Sequence, residues 1–441
     1  MGQNVEFVTI EESELELFSR AVPRMNFLQL PAYARTKRRG GVEVEIVGIK
    51  RMFDGRRELL AAGVVTFSPW KRFFSVAHLF FGPTLNESMI EASGLSPIDV
   101  QRAFYEGLLA HLRAKPRVIA AELVPPVFRR KYSDVDVVER TAQGEETEAL
   151  LHELGARRVD REPEEDPAIQ AHFTFTKDIG GMSFDEVVSS TTQQARRAFA
   201  KWGKNAVSVE FVPPSRTDIL QSVLAATAQR TTMDSYIASD ATARYYRTFG
   251  EELGEGEVFF PVARLDTEKY LRIVGDEISQ VERKRNALLE TLARAHDEGR
   301  EPGKKQKNQL DQLTSQLEAA QRRLADAEQI RAEHGDEVVL AASMFIHTPN
   351  ELVFLTSGAF AEFNSLYGIY LIHRRMLEWS VENKVKWYNF WGIAKDFSPE
   401  GDAGGVLKFK RHFNGDVEEY LGTYDAPIRP VLAKLLGALR A

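Results

Sequence analysis

Cysteine is absent from all 441 residues. That excludes disulfide bonds, thiolate metal ligands and any covalent mechanism through a thiol. Histidine is scarce: the nine residues are scattered, with no His-x-x-His or His-Glu-x-x-His pair, so no metal site is expected. No Gly-x-x-x-x-Gly-Lys-Ser/Thr loop is present to cradle nucleotide phosphates, and no cofactor is expected. Apolar runs stop short of the ~18 residues needed to cross a bilayer. The most apolar window, 64–81, is interrupted by Lys71 and Arg72 and reads as strands. Residues 1–10 lack the basic-then-apolar order of a signal peptide, so a cytosolic location is expected. The net charge is -7, so a polyanionic partner would have to bind local basic patches.

What is present is a chain too long for one ordinary core, suited to two units plus an extra element. Alternating or apolar stretches predict strands over 42–52, 58–68, 73–81 and 118–127. Between the last two, Ser96-Pro97 signals a helix start, and Val100, Phe104, Leu108 and Leu112 follow at helical spacing to 114. A polar, acidic stretch at 161–166 reads as a link. Beyond it come a strand (172–177), one long helix (184–202) with a basic side of Arg196, Arg197 and Lys201 and Lys204 just past its end, helices over 216–230 and 241–253, and a strand over 257–265.

The pattern then changes. Ile278, Val281, Leu288, Leu292 and Ala295, with Arg285 at one seam position, fall at steps of three and four, as do Leu310, Leu313, Leu317, Ala320, Leu324 and Ala327, with a Gly/Pro break at 299–303 between them. This is the seam of an antiparallel coiled-coil hairpin over 276–334, inserted between strands. Helices of roughly 20–25 residues would give an arm of about 30–38 Å. The remainder reads as strands at 338–346 and 351–356, a helix (365–382), a strand (385–391), a Gly/Asp/Pro loop (392–405), a short basic helix (406–413), a strand (417–424) and a last helix (428–439). Strand–helix–strand order in both halves predicts two α/β units with mixed sheets.

The segment Trp387-Tyr-Asn-Phe-Trp-Gly-Ile-Ala-Lys-Asp-Phe-Ser-Pro-Glu400, followed by Gly405-Val-Leu-Lys-Phe-Lys-Arg-His-Phe-Asn-Gly-Asp-Val-Glu-Glu-Tyr-Leu-Gly422, closely resembles the C-terminal signature of the Fem family. These aminoacyltransferases build peptidoglycan interpeptide bridges. Phe27-Leu-Gln-Leu-Pro-Ala-Tyr33 with Lys37, the Phe80-Phe-Gly-Pro-Thr84 turn and the Thr-Gln-Gln-Ala-Arg-Arg-Ala-Phe-Ala-Lys run within 173–207 are similar to further family segments, and the inserted arm is similar to that of the staphylococcal-type members.

The resemblance implies two tandem acetyltransferase-like (GNAT) domains, one of 1–168 plus 423–441 and one of 169–422. It implies aminoacyl-tRNA as donor and a peptidoglycan precursor, nucleotide-linked or lipid-linked (lipid II), as acceptor. The reaction would be aminolysis of an ester, which needs no ATP. Lys410 matches the family lysine assigned to the oxyanion, with Phe409 beside it to place the terminal adenosine. An exposed basic face of Lys408, Lys410 and Arg411 is the alternative. Lys37 matches a phosphate-binding lysine, with Arg35, Arg38 and Arg39 as close competitors. Tyr245 matches a family tyrosine, but Ala241 stands where an arginine is expected, so Arg230 or Arg244 would have to supply that contact. Thr356 stands nearest to a second missing tyrosine, a departure that would favour a lipid-linked acceptor. Asp396 or Asp402 could accept the amine's proton. Arg196, Arg197, Lys201 and Lys204, and at the arm's tip Arg300, Lys304, Lys305 and Lys307, are the candidate tRNA contacts. The arm could equally pair two copies, and peripheral contact with the inner membrane face fits a lipid-linked acceptor. Rival readings are an acetyl-CoA-dependent acetyltransferase, a tRNA-dependent transferase acting on protein N-termini, and a coiled-coil scaffold with a degenerate transferase body. The acetyl-CoA rival is weakened because Arg38-Arg-Gly-Gly-Val-Glu43 fails as a pyrophosphate loop and leads into a strand.

Overall fold

The computed structural model describes residues 5–440 apart from 54, 162–169, 231–234, 300, 302 and 397–404. Asp402 and Arg300 therefore lie outside the described residues. Two mixed sheets organise the chain. The first runs in the order Val5–Thr9, Glu43–Phe53, Arg56–Trp70, Phe74–Phe80, Val118–Val124, Tyr424–Pro427, Arg157–Arg158. The second runs Val207–Phe211, Pro261–Asp266, Glu337–Thr348, Glu351–Ala359, Trp387–Ile393, Phe173–Asp178, Asp416–Tyr420, Phe128–Ser133, Asp136–Arg140.

Local chemistry explains the elements that position the site. Helix Pro97–Ala114 starts where Ser96 accepts from the Asp99 amide, and it buries Val100, Phe104, Leu108 and Leu112 against the first sheet. Helix Pro31–Arg39 carries Lys37. Just before it, the fully buried Gln29 accepts from Val64 N at 2.7 Å and donates to Phe80 O at 2.6 Å, fixing two strands of the first sheet to this segment.

The predicted helix over 184–202 is in fact two, Phe184–Ser189 and Gln193–Phe199. The Ser190-Thr191-Thr192 run breaks it: the first two hydroxyls bond back to Val187 O and Val188 O, and Thr192 caps the next helix. The strand predicted over 257–265 divides into Val258–Phe259 and Pro261–Asp266, because proline enters at 261 without an N–H to donate. The strand predicted over 417–424 also divides, since Gly422 at φ +86 turns the chain out of the second sheet and into the first. The hairpin at 128–140, grouped by sequence order with the first half, pairs with the second sheet through Val417↔Tyr132.

The arm is longer than its seam indicated. Its helices, Thr267–Asp297 and Lys304–His334, each hold 31 residues, or about 46 Å. The first begins at an Asp266 cap rather than near 276. Val281 packs with Leu313 and Leu317, and Arg323 reaches Glu277 at 2.8 Å, which sets the antiparallel register.

A third apolar core joins the halves. Phe18, Phe27, Tyr33 and Phe81 from the first pack with Leu220, Phe249, Phe260, Met344 and Val353 from the second. Beside it, Arg24 Nη2 stands 2.6 Å from Glu351 and 3.1 Å from Glu418, both carboxylates buried. Asn389 donates to Glu351 at 2.9 Å and Thr176 to Glu418 at 3.2 Å. No described helix is long and apolar enough to cross a membrane.

Candidate active site

Strands Glu351–Ala359 and Trp387–Ile393 run parallel, but they pair only through Glu351↔Trp387, Leu352↔Tyr388 and Val353↔Asn389. Beyond that point they diverge, and a cleft of about 690 Å³ opens between them. Phe354, Thr356 and Gly358 line one side, Phe390, Trp391 and Gly392 the other. Divergent parallel strands leave carbonyl and amide groups facing a gap, which is how a sheet makes room for an extended ligand.

Helix Val406–Arg411 closes one end of this cleft and places Phe409 and Lys410 in its lining. Lys410 is 5% exposed, so it is not part of a solvated basic face. Its Nζ donates to Gly392 O at 2.6 Å and lies 3.5 Å from Trp391 O, which aims the ammonium at the end of the diverging strand. Behind it sits an aromatic cluster in which the ring of Phe409 meets Tyr370 at 5.1 Å and His373 at 5.4 Å. Fully buried His373 bonds Tyr388 OH through Nδ1 at 2.8 Å, while its Nε2 has no hydrogen-bond partner among the described residues. Burial first, and then the Lys410 charge, push the His373 pKa down to about 3, so the imidazole is neutral.

The rim brings in other elements. Gln194, on the helix that carries Arg196 and Arg197, lines the cleft and donates to Tyr370 OH at 3.3 Å, and that hydroxyl meets His412 Nδ1 at 2.7 Å. Trp391 is braced by the first half: Phe27 at 4.8 Å and Phe81 at 5.6 Å pack on its ring.

Lys37 and Tyr245 come together. The Lys37 Nζ stands 5.3 Å from the centroids of both Tyr33 and Tyr245, and burial lowers its pKa. Its competitors are engaged elsewhere: Arg35 and Arg38 bind Glu12, and Arg39 binds Glu251. The neighbouring Tyr246, whose pKa burial raises to about 12, has its hydroxyl near Thr356 in the cleft wall. The chain Lys37–Tyr245–Tyr246–Thr356 thus links that pocket of rings to the Lys410 cleft.

Other expected residues lie apart or are otherwise occupied. Arg230 lines the cleft from an exposed position, whereas Arg244 is exposed and is not among the lining residues. Asp396 is exposed and outside the lining as well. Arg196, Arg197, Lys201 and Lys204 are all exposed, and Arg196 turns its guanidinium back onto the carbonyls of Ser189 and Thr191. Lys304 and Lys305 are exposed at the far end of the arm. Among the described residues no three His, Asp or Glu side chains are grouped to hold a metal ion. Sequence reading missed Gln194, Tyr370, His373 and Trp391; the density of aromatics over 387–413 was the available signal for Trp391, and the other three lie outside that stretch.

Two mixed sheets, a shared apolar seam and a cleft between divergent parallel strands define an α/β protein of two joined halves. A family model described as FemAB family matches residues 10–440. The aminoacyltransferase FemA of Staphylococcus epidermidis is 24% identical over 436 residues, 99% of each chain. FemA of Staphylococcus aureus (strain MW2) is 23% identical over 430 residues, 97% of each. The crystal structure of FemX shares the fold at a TM-score of 0.72 with 18% identity, covering 98% of this chain and 99% of that one. The chain belongs to the FemAB family.

Proposed function

We propose that this enzyme is an aminoacyltransferase that moves an amino acid of the Gly, Ser or Ala class from aminoacyl-tRNA to the stem-peptide amine of a peptidoglycan precursor. The observation that carries the reading is Lys410: a buried ammonium held by two strand-end carbonyls in the wall of an open cleft. In the reaction the acceptor nitrogen bonds to the ester carbonyl carbon, and negative charge gathers on the carbonyl oxygen. A fixed ammonium stabilises that oxygen without reorganising. The intermediate then expels the ribose oxygen, which takes the electron pair of the broken C–O bond and the proton released by the nitrogen. Phe409 and Tyr370 offer ring faces for a terminal adenine. Lys37, beside Tyr245, supplies a cation for the diphosphate of the precursor, as a compact charge on a flexible stem can. Arg197, Lys201 and Lys204, near the cleft rim through Gln194, suit the tRNA backbone. The distant Lys304 and Lys305 suit it only if the arm lies along the tRNA.

The test mixes the purified chain with tRNA charged separately with Gly, Ser or Ala, plus nucleotide-linked or lipid-linked precursor, and reads the product mass. One aminoacyl addition is expected with at least one pair. No adduct with any pair, or acetyl transfer from acetyl-CoA instead, overturns the reading.

A further inference from the structure

Away from the cleft, three stretches contain no acidic residue, 67–78, 111–121 and 426–440, although the chain as a whole is net negative at -7. The fold gathers all three at one end of the first sheet. Trp70 Nε1 donates to Leu436 O at 3.1 Å, and Ser75 N to Arg117 O at 2.9 Å. The Arg429 guanidinium bonds the carbonyls of Arg113 and Lys115, each at 3.2 Å. Beneath them lies a small core of Val76, Ile119, Ala120, Ala433 and Ala438.

On the outside of this rigid end, Phe73 is 68% exposed, Val431 80% and Leu435 77%. Val431 and Leu435 stand one turn apart on helix Pro430–Leu435, and Phe73 tips the adjoining hairpin. Lys71, Arg72, Arg113, Arg117 and Lys434 surround them, all exposed, and none has a carboxylate partner among the described residues. Lys71 lies over the Trp70 ring at 6.0 Å and Arg72 over Phe73 at 5.6 Å.

We propose that this surface docks the protein on an anionic phospholipid bilayer. Phe73, Val431 and Leu435 enter the interface between headgroups and acyl chains, and the surrounding cations meet lipid phosphates. The chemistry favours this occupant over others. Two of the three projecting side chains, Val431 and Leu435, are aliphatic and have no ring to stack on nucleic-acid bases. A second copy seated face to face would bring two surfaces of mainly positive charge together, which repel. An anionic bilayer satisfies the apolar knobs and the cations at once. Strand Phe74–Phe80 runs from this surface to Phe81, which packs on Trp391 of the cleft; its seven residues span about 23 Å. With a lipid-linked acceptor, which rests on the function proposed above, docking holds the cleft within reach of a stem peptide rising from the membrane.

The test is co-sedimentation of the full chain with vesicles of phosphatidylglycerol and phosphatidylcholine in equal parts, against phosphatidylcholine alone. No aminoacyl substrate is present, so the outcome is independent of whether the cleft transfers amino acids. Binding is expected to the anionic vesicles, weakening as salt is raised. Val431→Glu with Leu435→Glu should weaken it at least about tenfold, and Lys71→Gln, Arg72→Gln and Lys434→Gln about fivefold each. Leu17→Glu, which replaces an equally exposed apolar residue elsewhere, should change nothing. Absence of anionic-vesicle binding, or binding unaltered in the Val431→Glu/Leu435→Glu variant, overturns the proposal. So does a dimer in sedimentation velocity that the same variant abolishes, which would assign the surface to a second copy.

Discussion

The Lys37 ammonium stands 5.3 Å from the Tyr245 ring centroid, and the two residues come from opposite halves of the chain. Burial penalises this charge, and no carboxylate among the described residues neutralises it. A cation kept in that state gains most from an arriving anion. Replacing Lys37 by Met should therefore raise KM for the precursor by about 10–100-fold, the worth of a charge-assisted hydrogen bond, while kcat changes little. Steady-state kinetics with the precursor varied at saturating charged tRNA check this.

Lys410 should behave oppositely. Lys410→Ala removes a group that acts on charge appearing only in the transition state, so kcat should fall by about 10²–10³. Arginine should not restore it, since a planar guanidinium cannot reproduce the bonds to Gly392 O and Trp391 O. Single-turnover rates, with circular dichroism to verify folding, separate this from collapse of the cleft.

Arg24 ties two buried carboxylates across the seam. Arg24→Met strands Glu351 and Glu418 without their counter-charge and should cost about 3–5 kcal/mol in denaturant unfolding. Glu351→Gln and Glu418→Gln added to that variant should recover part of the loss, because neutral side chains tolerate the same burial better.

His373 predicts an acid limb of stability. Its folded pKa is about 3, against about 6.5 unfolded, so below 6.5 the unfolded chain binds the extra proton. The neutral ring's contribution is complete above pH 6.5 and is lost as pH falls through that window towards 3, with a slope of up to about 1.4 kcal/mol per pH unit. His373→Gln, which can still bond Tyr388 OH, should flatten the fall. Thermal melts between pH 7 and 4 compare the two.

Some of this was legible in the amino-acid order. Ser96-Pro97 with the apolar spacing behind it located helix Pro97–Ala114, and Phe409-Lys410 was found through a long motif. Both signals are local. Gln194, Tyr370 and His373 come from elements separate from that motif, and nothing in their own neighbourhoods says that they meet. The hairpin at 128–140 gave no sign of which sheet it would join, because Val417, its partner to Tyr132, lies far along the chain. Hydroxyls decided the break at 190–192, where apolar periodicity alone would have continued the helix.

Strand Tyr424–Pro427 sits between Val118–Val124 and Arg157–Arg158, and the Tyr424 hydroxyl donates to Glu148, 276 residues earlier. During synthesis at about 5–20 residues per second, the amino-terminal sheet waits roughly 15–55 s with that slot vacant. The nascent half therefore leaves the ribosome with bare strand edges, a period in which a holding chaperone would matter. Expressed without its late strand, that half should aggregate rather than persist as an autonomous module.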